Sequence, residues 1–319
     1  MFSFLNYLKL IATVLITNSH FGNIWPVSAL AIGGLLGNVI FLSVSGFLLY
    51  NIKTNFAKWF SKRFFRVYPA LLFFTLFTVL IGEYPLKNLN DAFKLFIYPT
   101  NYIFLVWLLV CYCIFYFVVY IDRKTSNFLE IIIVAIFFLW ILVYSIFYDK
   151  SVYRVDNVSE PFILFLYIES MLMGALFKKR CTDFAKFKIS KIFLVIVCLV
   201  VYFASKIIFS RVEIVIHLQI VNQFVILLTL FSVFDLFMSM EHIFKKVPEK
   251  LNLVVKHISN ITLQIYIVQF VIIRHCDKLP FPINLIVVTL AIISVATLLY
   301  YIEFLIRKLI DFLLTKARK

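Results

Sequence analysis

Long apolar runs separated by short polar connections dominate this chain. Stretches near the roughly 20 residues that a helix needs to cross a bilayer fall at 4–21, 30–50, 67–82, 99–120, 129–147, 161–177, 190–209, 216–237, 259–275 and 283–306. The pattern predicts an all-α, polytopic integral membrane protein with about ten transmembrane helices in one bundle. The connections are too short for a second domain, so residues 1–319 are expected to form one unit. The segment 51–66 differs from the rest. Phe56, Trp59, Phe60, Phe64 and Phe65 alternate there with Lys58, Lys62, Arg63 and Arg66, a mixture suited to a helix lying in the membrane interface. Pro69 then suits the first turn of the third span.

Composition sharpens this picture. The chain is 63% hydrophobic and 15% charged, whereas a soluble domain carries about a quarter charged residues. A net charge of +15 could suit nucleic acid, but its distribution speaks for membrane topology. The segments 51–66, 121–128, 178–191, 239–258 and 307–319 hold 22 of the 31 Lys and Arg, and the intervening connections hold 7. The positive-inside rule places the first set in the cytoplasm together with both termini, which an even number of spans requires. The expected partner is the lipid bilayer of a plasma membrane, with no nucleic acid. Five cysteines in unrelated positions give no disulfide framework, and no Cys/His spacing fits a metal site. There is no Gly-rich phosphate loop.

Charged residues within the spans carry the candidate chemistry. Lys9 and His20 are eleven residues apart in the first span, about three helical turns and roughly 16 Å along one face. A Lys at depth is expensive unless it faces a cavity or a partner, so both residues should point inward. The plainer alternative is a Lys snorkelling to the headgroups. Arg63 and Arg66 share a helix face and can either anchor to anionic lipid or clamp a phosphate. Glu169 lies inside the sixth span and calls for a partner. Gly33 and Gly37 suit close helix packing. His242 and His257 read as solvated cytoplasmic residues and His275 as an external one.

These stretches together resemble the membrane-bound acyltransferase-3 family. In the first span a basic residue and a His have ten residues between them, here Lys9 and His20. An SGFLL-like run ends the second span, from Ser45 and Gly46 to Leu49. A basic, aromatic segment with Arg63, Arg66, Tyr68 and Pro69 opens the third. Near the C-terminus Ser259 is followed seven residues later by Tyr266. Two positions depart from the family pattern: Lys9 stands where an Arg is usual, and Gln269 where a His is often found, so Gln269 is not counted as catalytic.

The resemblance implies an O-acyltransferase of cell-envelope glycans. It would move an acetyl group from cytoplasmic acetyl-CoA to a hydroxyl of an extracytoplasmic acceptor such as capsule, exopolysaccharide or O-antigen, free or lipid-linked. It implies His20 as the catalytic residue, acting as general base or as acyl-carrying nucleophile. Lys9, Arg63 and Arg66 would bind the donor. Ser45, Gly46, Tyr68, Ser259 and Tyr266 would support the site, and Asp156, Glu160 or Glu169 would orient the imidazole. No metal and no fused hydrolase-like domain are expected, and self-association is left open. The alternative is a transporter or flippase for a glycan or lipid-linked intermediate. That class tends to show inverted repeats and Gly/Pro-broken helices, and the sequence displays neither.

Overall fold

A computed structural model describes residues 2–125, 127–181, 186–276 and 279–317. Lys278, Arg318 and Lys319, which enter the charge asymmetry, lie outside the described residues. Among the described residues there are helices and turns and no strand. In order the helices are α1 (Ser3–Ser19), α2 (Gly34–Leu49), α3 (Phe56–Leu80), the single turn α4 (Leu89–Ala92), α5 (Ile103–Asp122), α6 (Phe128–Phe147) and α7 (Ile163–Arg180). They continue with α8 (Ile189–Arg211), α9 (Ile220–Ser239), the single turn α10 (Glu241–Phe244), α11 (Glu249–Asn260), α12 (Thr262–Cys276) and α13 (Ile283–Ala317).

Each apolar run of the sequence falls on one of these helices, but fewer than ten of the described helices qualify as spans by length and composition. Seven are long and apolar enough to cross a membrane, or eight if the bent pair α11–α12 makes one crossing. The difference lies in α1 and α7. The first has only 17 residues, and the second carries Glu169 with Lys178, Lys179 and Arg180. Both are sheathed in protein. α1 packs against α2, α9, α11 and α12, and α7 against α2, α5, α6 and α9. A helix so surrounded need not be apolar on every side, because its polar groups find protein partners instead of lipid.

Two elements correct the sequence expectation. The interfacial segment and third span form one helix, α3, started by Asn55, whose side chain accepts the Lys58 backbone N–H at 3.1 Å. Pro69 lies in the interior of α3 and not in its first turn. Trp59 is buried against Tyr112, Phe115 and Tyr116 of α5. The helix runs on through Pro69, which removes one backbone hydrogen bond. The ninth run is also divided. α11 and α12 meet at 69° at Ile261, with neither Gly nor Pro at the break.

The N-terminus of α1 has no capping side chain of its own. Glu241 of α10 supplies the cap from across the fold, accepting the backbone N–H of Ser3 at 3.1 Å and of Phe4 at 2.8 Å. A carboxylate there also complements the helix dipole. Asn18, near the other end, binds the Leu30 and Ile32 carbonyls at 2.8 and 3.0 Å and accepts the Trp25 indole N–H at 2.9 Å. Both ends of α1 are thus fixed by residues distant in sequence.

Candidate active site

Three cavities run in a row beside α1. The first, of about 480 Å³, is lined by Lys9 of α1, Ser45 of α2, Arg63 and Arg66 of α3, and Ser259 at the α11–α12 break. Lys62 adds a further cation, and Glu303 of α13 is the carboxylate on its wall. Gln264 donates to that carboxylate at 2.7 Å. Lys9 and Arg66 line the same cavity, so an anion entering it would meet both positive charges. Arg63 is held in place: its guanidinium stacks on the Trp59 ring at 4.1 Å and donates to the Trp59 carbonyl at 2.8 Å. The cavity offers anion recognition with a pre-positioned planar fork.

The second space is a constriction of about 20 Å³, room for about one water. Phe41, Thr262 and Leu263 line both it and the first cavity. Thr13, Thr17, Tyr266 and Gln269 also line it. The Thr13 hydroxyl donates to the Lys9 carbonyl at 2.8 Å and lies 3.1 Å from the Thr262 hydroxyl.

The third cavity, of about 290 Å³, is lined by His20, Tyr84, Asn101, Phe270 and Arg274. Phe270 follows Tyr266 by one turn of α12, with ring centroids 5.5 Å apart, so this cavity lies one turn further along α12 than the constriction. His20 ends α1. Its backbone N–H closes the last turn on the Thr17 carbonyl at 3.1 Å, and its ring meets Phe270 edge-on at 4.7 Å. Arg274 donates to the Tyr84 hydroxyl at 3.3 Å and pairs with Glu83 at 3.7 Å. His275 also pairs with Glu83, at 3.0 Å.

Lys9, Ser45, Arg63, Arg66 and Ser259 therefore share one cavity, His20 lines another, and Tyr266 lies between them. The other expected residues stand elsewhere. Gly46 presses on the backbone of α7 and lines none of these spaces. Tyr68 stacks on Phe64 and donates to the Phe96 carbonyl. None of the three candidate orienting carboxylates lines the His20 cavity. Asp156 pairs with Lys206. Glu160 accepts from Tyr148 at 3.5 Å and from Asn157 at 3.4 Å. Glu169 is buried within α7.

Several lining residues were not singled out from the sequence: Tyr84, Asn101, Tyr112, Arg274 and Glu303. Gln269 was set aside. The available signal was a helical stripe, Tyr266, Gln269, Phe270 and Arg274, whose spacing puts one polar face on α12. Among the described residues no His, Cys, Asp and Glu group could hold a metal.

The family model for an acyltransferase domain matches residues 2–303, nearly the whole chain. No curated protein and no solved structure matches it.

Proposed function

Since the chain belongs to the acyltransferase-3 family of membrane proteins, we propose that it moves an acetyl group from cytoplasmic acetyl-CoA to a hydroxyl of an extracytoplasmic cell-envelope glycan. The observation that carries this reading is the row of cavities along α1, cationic at Lys9, Arg63 and Arg66 and ending at His20. The cationic cavity suits the nucleotide phosphates of the donor. The roughly 16 Å of helix between Lys9 and His20 suits the thin pantetheine arm. The charge asymmetry of the connections supports a cytoplasmic position for the cationic end, where acetyl-CoA is made, and an extracytoplasmic one for His20, where the acceptor would be exposed.

In this reading the neutral His20 imidazole takes the proton of the acceptor hydroxyl as its oxygen attacks the thioester carbonyl. The C–O bond forms, the C–S bond breaks, and the imidazolium returns the proton to the leaving thiolate. Asn101 and Arg274, which line the same cavity, are the donors available to the developing oxyanion or to the acceptor sugar.

The test is transfer of labelled acetyl from acetyl-CoA to surface glycan by membranes carrying His20→Ala or His20→Gln. Loss of a general base lowers turnover by about 10²–10⁴-fold, so both variants should lose transfer while inserting normally and still binding acetyl-CoA. Near-normal transfer by His20→Gln overturns the assignment of the base.

A further inference from the structure

Gln269 is fully buried in α12, yet neither its carboxamide nitrogen nor its oxygen meets a hydrogen-bonding partner among the described residues. The other buried glutamines each make at least one hydrogen bond. Gln223 donates to the Val155 carbonyl at 3.1 Å and Gln264 to Glu303 at 2.7 Å, while Gln219 both accepts and donates. A buried carboxamide with no bond at all is costly and rare in native proteins. This one lines the constriction between the cationic cavity and the His20 cavity. Thr17 of α1 lines the same constriction, and its hydroxyl is likewise buried and unpartnered. Two hydrogen-bonding groups from two helices thus converge on one narrow passage.

We propose that Gln269 and Thr17 bind the secondary amide of the pantetheine arm that lies nearest the thioester. The proposal rests on the acetyl-CoA reading above. That amide is planar and trans, so its N–H and C=O point in opposite directions. Walls supplied by two helices can meet both, the carboxamide as donor or acceptor and the hydroxyl as the other. The spacing agrees. Two methylenes separate this amide from the sulfur, and Thr17 precedes His20 by three residues, about 4.5 Å along the axis. An amide held here brings the thioester alongside His20. Ile16, Leu105, Leu263 and Ile265 line the remainder of the passage and suit the methylenes. The space of about 20 Å³ requires the Phe41 and Tyr266 rings to turn aside for the arm to enter. Gln269 is on this account a donor-binding residue, and its position on α12 sets how far the thioester travels.

The experiment is calorimetric titration of the full chain, in lipid nanodiscs, with acetyl-CoA and with the nucleotide half of coenzyme A that lacks the arm. Gln269→Met keeps the volume and removes the hydrogen bonds. It should weaken acetyl-CoA binding by about tenfold and leave the nucleotide half unaffected. It should also raise the unfolding midpoint of the ligand-free protein, because an unpaired polar group leaves the core. Thr17→Val should give a selective loss of the same kind. Unchanged acetyl-CoA affinity in both variants overturns the proposal. So does a loss shared equally by the nucleotide half, or a fall in the ligand-free midpoint of Gln269→Met, which would show the carboxamide serving the resting fold. If the unaltered protein binds neither ligand, the acetyl-CoA reading itself fails, a result distinct from a loss confined to the variants.

Discussion

Gly46 and Gly174 lock α2 and α7 together backbone to backbone: a Cβ on Gly46 would lie 1.8 Å from the Met171 carbonyl oxygen, and a Cβ on Gly174 1.8 Å from that of Ser43. Neither contact is with a flexible side chain, so neither can yield without parting the helices. Gly46 belongs to the motif on which the family resemblance rests, and its role here is close helix approach. Gly46→Ala and Gly174→Ala should each destabilise the protein by roughly 1–3 kcal/mol or more, read as thermal unfolding in detergent. The folded fraction should bind acetyl-CoA normally, since neither glycine lines the cationic cavity. A selective loss of donor affinity at unchanged stability would return Gly46 to the site.

Arg63 enters the cationic cavity already oriented by Trp59, so on the proposed reading little freedom remains to be lost on binding a phosphate. Arg63→Ala should weaken acetyl-CoA binding by about tenfold or more, the range of a hydrogen bond to a charged group. Arg63→Lys should recover part of this, because it keeps the charge and loses the fork. Titration of the purified protein decides the matter. If Arg63 serves only to anchor lipid, donor affinity will hold and membrane insertion will suffer.

The three carboxylates that could have oriented His20 stand away from its cavity, and Asp156 is engaged with Lys206. A carboxylate beside an imidazole raises its pKa, so removing one lowers that pKa and moves the rising limb of the pH–rate profile to lower pH. Asp156→Asn, Glu160→Gln and Glu169→Gln should leave that limb where it is. An acid shift in any one variant would identify it as the orienting group.

Membrane orientation is open to direct labelling. Val27, 58% exposed in the connection after α1, should react as a cysteine with an impermeant maleimide applied to intact cells. The native Cys181, which follows the basic end of α7, should react only after the membrane is opened. The reverse pattern would place the cationic cavity outside the cell and remove the donor reading.

What the sequence by itself determined is what depends on local free energy. Transfer of an apolar run into lipid depends on that run alone, so the runs that become helices were all legible, as was the asymmetry of their basic flanks. Helical phase is local too, and it put Lys9 and His20 on one face before any partner was known. The tertiary structure decided everything that needs two helices to meet. It gathered Arg63, Ser45 and Ser259 around Lys9, although they are far apart in the chain, and sent Gly46 and Tyr68 into packing instead. It ran α3 on through Pro69 and bent α11 against α12 with no Gly or Pro to announce it. It sheathed α1 and α7 in protein, so they need not meet the apolar length that lipid demands. It also left the Gln269 carboxamide buried without a bond, because which polar groups find partners depends on which faces oppose each other. That choice is made by packing across the whole bundle and is written in no single stretch of residues.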